Sequence, residues 1–220
     1  PWSAMAFIAL VIAIPFGSEF LGVLTGVPYG PYAYRNAPPP WVLGLVPLFI
    51  LIAWIHIAYL SLATTTLALG RSSLWLAPLD GLLAVAWDLF VDPLAVRAGY
   101  WVWQSPGALY GVPLSNFLGW FLVVTALSLV VRWTWSRDAR APARMPRIVV
   151  ASIPVLFLVS SLQFSVMAAV RGFPVATVVG LAILIPAIAA AGRRVRAMPK
   201  DEVVPSHWAP RPAIATGDET

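Results

Sequence analysis

The sequence has no cysteine and only two histidines, and Asp, Glu, Lys and Arg together make up 10% of its 220 residues. The absence of cysteine excludes disulfides, thiolate nucleophiles and Cys-ligated metals. So few charges place the chain far below the roughly 25% usual for soluble domains. Its chemistry must come from Asp, Glu, His and hydroxyl groups.

What is present is apolar: 60% of the residues are hydrophobic and the mean hydropathy is +0.84. A helix that crosses the hydrocarbon core takes ~20 such residues. Six runs qualify, at about Trp2–Leu24, Trp41–Leu69, Leu74–Val96, Ser115–Trp135, Ile148–Val170 and Pro174–Ala191. The expected fold is all-α, a polytopic integral membrane bundle of six transmembrane helices. Residues 1–196 make a single domain, and the Pro-rich stretch 197–220, with His207, reads as a disordered cytoplasmic tail. The opening stretch AMAFIALVIAIPF has no basic segment before it and runs on into GSEFLGVL, so it reads as a retained helix rather than a cleaved signal. A start at Pro1 without an initiator Met leads us to expect a longer native N-terminus. Internal Pro15, Pro47, Pro78, Pro154 and Pro186 predict kinks.

The net charge of +5 does not point to nucleic acid, because the basic residues sit at the ends of apolar runs. Arg132, Arg137, Arg140, Arg144 and Arg147 follow span four against a single Asp138, and Arg193, Arg194 and Arg196 follow span six. By the positive-inside rule these ends and the Arg71 turn are cytoplasmic. Loops 25–40 and 97–114 then lie outside, and the protein belongs in the cell membrane.

Three carboxylates interrupt the apolar run PLDGLLAVAWDLFVDPLAV. At ~100° per residue, Asp88 and Asp92 are offset by only about 40° on a helix, and Asp80 lies about 120° from Asp92. An ionised Asp at the bilayer centre costs roughly 2.5–3.5 kcal/mol on insertion scales, so such residues face a bundle interior and mark sites. Their plainer role is hydrogen bonding between helices or capping. Glu19 falls at the same depth as Asp88 and Asp92, near the outer leaflet, whereas Asp80 falls in the inner half.

The outer loops, VPYGPYAYRNAPPP and AGYWVWQSPGALYGVPLSN, are dense in aromatics. Trp41, Trp75, Trp133 and Trp135 fit an interfacial belt. For Tyr29, Tyr32, Tyr34, Tyr100, Trp101 and Trp103 a belt and an aromatic-lined pocket beside the acids fit equally well.

No Ser–His–Asp spacing, P-loop, GxGxxG or HExxH is present. DLFVD is too widely spaced for the aspartate clusters that bind magnesium diphosphate, and its surroundings lack the basic residues to hold one. A metal on His56, Glu19 and Asp88 would be a sparse set at mismatched depths. What remains is buried carboxyl groups beside aromatic rings. A desolvated carboxyl group can stay neutral and act as an acid. Aromatic faces stabilise a cation by up to ~2 kcal/mol each when desolvated. Proton addition to an alkene followed by water capture suits these parts.

The segments SEFLGVLTGVPYGPYAY, AWDLFVDPLAVRAGYWVW and YGVPLSNFLGW resemble the carotenoid biosynthesis protein family of membrane hydratases. The resemblance covers roughly Glu19 to Trp120, and Pro31 departs from the family pattern. It implies addition of water across the terminal C1,C2 double bond of a linear carotenoid, with no metal or redox cofactor. It also implies lipid and other carotenoid-pathway enzymes as partners. In that reading Asp88 or Asp92 protonates C2, Glu19 orients or deprotonates the water, and Trp87, Tyr100, Trp101 and Trp103 line the cation pocket. Asn116 hydrogen-bonds an acid or the water, and Asp80 belongs to the acid group at a distance. The competing readings are a non-catalytic carotenoid or lipid carrier and a proton-coupled transporter with a relay through Glu19, Asp80 and Asp88.

Overall fold

Inside hydrocarbon a backbone can satisfy its N–H and C=O groups only within helices or a closed barrel, and the six apolar runs form helices. The computed structural model describes residues 2–136, 144–198 and 203–205. Arg137, Asp138, Arg140 and His207 lie outside the described residues. Among the described residues, six helices are long and apolar enough to cross a membrane: Met5–Thr25, Leu48–Leu69, Leu74–Ala98, Leu114–Thr134, Arg147–Val170 and Pro174–Arg196.

The first span is built in pieces: α1 (Trp2–Val11), a widened π-turn over Ile12–Phe16 that contains Pro15, and α2 (Gly17–Thr25). Proline has no N–H to give and its ring crowds the preceding turn, so the ladder widens where the kink was expected. The second span begins seven residues later than the apolar run suggests. Trp41–Val42 (β2) and Val46–Pro47 (β3) form a small hairpin, and α3 (Leu48–Leu69) starts only after Pro47. Pro38, Pro39 and Pro40, with Pro47, deny the segment the amide donors and helical φ/ψ a helix would need.

At the centre stands α4 (Ala77–Ala98), which packs against α3, α5 (Leu114–Ser136), α6 (Arg147–Val170) and α7 (Pro174–Arg196). Small residues permit the close approach: a Cβ on Gly180 would lie 2.4 Å from Phe90 Cε1, and one on Gly81 would lie 2.7 Å from Phe121 O. Pro78 sits in the first turn of α4, where the missing N–H has no partner to lose.

All six spans turn at two ends. At one end the loops pair: β1 (Tyr32–Tyr34) runs antiparallel to β4 (Trp101–Trp103), with Tyr32 opposite Trp103 and Tyr34 opposite Trp101. At the other end Arg71, Arg147, Arg193, Arg194 and Arg196 gather, and Trp75 and Trp133 are exposed. Arg132 does not belong to that loop set, because it is buried within α5. Nor is all of the stretch 197–220 without structure: Val203–Pro205 (β6) pairs with Arg144–Pro146 (β5).

Candidate active site

At the paired-loop end, α3, α4 and α6 enclose a cavity of about 450 Å³, with α2, the start of α5 and the β1–β4 ribbon forming its remaining walls. Of the twelve residues singled out from the sequence, eleven line it: Glu19, Tyr29, Tyr32, Tyr34, Trp87, Asp88, Asp92, Tyr100, Trp101, Trp103 and Asn116.

Glu19 follows the Pro15 turn and is 5% exposed. Three donors converge on it. Tyr32 donates to Oε2 at 2.5 Å, Tyr34 to the same oxygen at 2.8 Å, and the Trp54 indole N–H to Oε1 at 3.1 Å. A carboxylate has about four acceptor positions, so this one retains a place for a further donor such as water.

Asp88 and Asp92, one turn apart on α4, both receive the Asn116 side-chain amide from the first turn of α5, Asp88 Oδ2 at 3.2 Å. Both bonds come from the same amide nitrogen, so the two carboxyl groups lie side by side. Asp88 Oδ1, by contrast, is buried without a partner.

The loop ribbon explains the aromatic density. Alternation along a strand sends successive side chains to opposite faces. Tyr32, Trp101 and Trp103 are accordingly buried, while Ala33 and Val102 point outward. Trp103 donates its N–H to Tyr29 O at 3.0 Å, tying the two loops together. The Tyr29 ring is held between two glycines: a Cβ on Gly22 or on Gly119 would come within 2.7 Å of it. Burial, reinforced by the Glu19 charge, pushes the phenols of Tyr29, Tyr32 and Tyr34 above their usual range, so they remain hydrogen-bond donors.

The structure does not bring Asp80 to this group. Asp80 lies nearer the arginine-rich end, in a 2.8 Å ion pair with Arg132, and accepts further bonds from Thr65 and Ser128. The antiparallel packing of α4 and α5 sets opposite charges at one depth, out of reach of the cavity. His56 is half-buried and its ring meets Trp87 at 5.9 Å. Among the described residues no group of three or more His, Cys, Asp and Glu could hold a metal ion.

Several contributors were not evident beforehand. Trp54 is fully buried and stacks on Trp120 with ring centroids 3.8 Å apart, and Trp120 lines the cavity. The sequence carried one signal, a tryptophan in mid-span where no interface lies. Arg97 and Arg171 also reach the cavity, supplying the basic side chains that the surroundings of DLFVD lacked. Arg97 donates to Arg171 O at 2.9 Å and lies over the Phe173 ring at 5.9 Å.

A family model described as "Carotenoid biosynthesis protein" matches residues 1–186. A curated relative, the bisanhydrobacterioruberin hydratase of Haloarcula japonica, is 34% identical over 123 residues, which is 54% of this chain and 41% of that protein. The match thus spans about two-fifths of the relative's length. No solved structure matches the chain.

Proposed function

Because the chain belongs to the carotenoid biosynthesis protein family, we propose that it is a membrane hydratase that adds water across the terminal C1,C2 double bond of a linear carotenoid. The observation that carries this reading is the unequal treatment of acids around one cavity. Asp88 has one oxygen held by Asn116 and one with no protein partner, whereas Glu19 is surrounded by three donors. An acid that protonates an alkene needs a delivering oxygen free of other bonds, since a carbon of C=C offers no lone pair. A base that receives a proton from water is best held as a carboxylate among donors.

In the proposed step a protonated Asp88 transfers its proton to C2 as the π pair forms the new C–H bond. The tertiary cation at C1 faces Trp87, Tyr100, Trp101 and Trp103. Water attacks C1 and gives its surplus proton to Glu19. Proton exchange between Glu19 and the aspartate pair then resets the site, so alkene plus water gives the tertiary alcohol with nothing left over. The arginine-rich end would face the cytoplasm and the cavity the outer leaflet.

Expression in a lycopene-producing bacterial host, with chromatography and mass spectrometry of the pigments, tests the reading. A product heavier by one water supports it. Unchanged lycopene that co-purifies with the protein overturns it in favour of a carrier.

A further inference from the structure

Beyond the acids, a residue that lines the cavity carries a buried donor without an acceptor. Trp87 is 3% exposed, and its indole Nε1 is buried with no hydrogen-bond partner. Buried indole N–H groups normally find one, and an orphaned donor loses the water it would otherwise bind. Two other indoles near the acids have acceptors, Trp54 in Glu19 and Trp103 in Tyr29 O. The Trp87 ring itself is fixed, with Phe164 edge-on at 5.1 Å and His56 tilted at 5.9 Å, and it lines the cavity with Phe164.

We propose that the Trp87 N–H is an oxygen-binding point, which accepts the hydroxyl oxygen of a polyene alcohol and makes the cavity favour the alcohol over its parent hydrocarbon. A hydrocarbon offers no acceptor and leaves the N–H unpaired. The next residue, Asp88, holds the other unpartnered atom of the wall, Oδ1. The proposal rests on the hydratase reading for the position of the hydroxyl oxygen.

The test titrates purified protein in lipid nanodiscs with a 1-hydroxy linear carotenoid and with its parent hydrocarbon, read by the shift of the polyene absorption bands. Wild-type protein should bind the alcohol about fivefold more tightly, the net worth of one hydrogen bond. Trp87→Phe should equalise the two ligands whatever its effect on hydrocarbon affinity, and Trp87→His, which keeps a ring N–H, should restore part of the difference. The methyl ether of the alcohol, an acceptor without a donor, should keep the preference in wild-type protein, which decides the matter even if the variants fail to fold. Equal binding of alcohol and hydrocarbon, loss of preference with the ether, or an unchanged preference in Trp87→Phe would overturn the proposal. Preference for the alcohol in a protein that hydrates nothing would sink the hydratase reading alone, and hydration without the preference would sink this one alone.

Discussion

Trp54 of α3 donates its indole N–H to Glu19 of α2 at 3.1 Å, across 35 residues of sequence, while its ring stacks on Trp120. The helices thereby fix one carboxyl oxygen independently of the loop tyrosines that hold the other. Trp54→Phe keeps most of the stack and removes the donor. Hydration should fall about tenfold to a hundredfold, the worth of one hydrogen bond to a charged group, with thermal stability little changed. Initial rates of product formation in membranes, normalised to folded protein, check this.

Asp88→Asn removes the acid and keeps the shape and the Asn116 contact. General acid catalysis is worth about 10²–10⁴ in rate, so hydration should drop by that factor, and Glu19→Gln should also impair it. Pigment chromatography from the lycopene host checks both. Wild-type product levels in both Asp88→Asn and Asp92→Asn would remove the aspartates from the mechanism.

At the far end, Arg132→Met leaves Asp80 buried and unpaired. Breaking a buried pair from one side costs about 3–5 kcal/mol, so the variant should melt well below wild type in detergent. Adding Asp80→Leu should restore much of the loss. Activity per folded molecule should stay near wild type in the double variant, because neither residue touches the cavity.

The raised phenols give a pH prediction. Below pH ~10, the ordinary tyrosine value, Tyr29, Tyr32 and Tyr34 are protonated both folded and unfolded, and their favourable burial is fully present. Above it the unfolded chain loses those protons first and binds fewer than the native state, so stability declines as pH rises. Tyrosinate absorbance at about pH 11 should fall short of the chain's six tyrosines by at least three until the protein unfolds. Full ionisation while still folded would contradict the burial of these rings.

Gly119→Ala places a methyl group within 2.7 Å of the Tyr29 ring, which already meets Gly22 on its other side. With no free side to move to, the ring must shift and carry Tyr29 O away from Trp103 and Ser115. Overpacking of this kind costs about 1–3 kcal/mol. Lowered melting temperature together with weakened polyene binding is the expected result.

The i, i+4 spacing of Asp88 and Asp92 put two acids on one helix face, and the cost of acids in lipid turned that face inward. The equal depth of Glu19 follows from counting residues back from the loop. The aromatic loops were ambiguous, because belt and pocket share one composition; the register of β1 against β4 turned Tyr32, Trp101 and Trp103 inward. Asp80 was misplaced among the acids because its partner, Arg132, is 52 residues away in sequence and resembled a loop arginine.

The sequence by itself determined the six spans, the helical bundle and the acids and loop aromatics around the cavity, since hydropathy and helical period are local properties. Only tertiary structure decided which polar groups found partners. Asp80 met Arg132, Glu19 met Tyr32, Tyr34 and Trp54, and Trp87 met no acceptor, because hydrogen-bond satisfaction depends on ångström-scale positions of residues far apart in the chain.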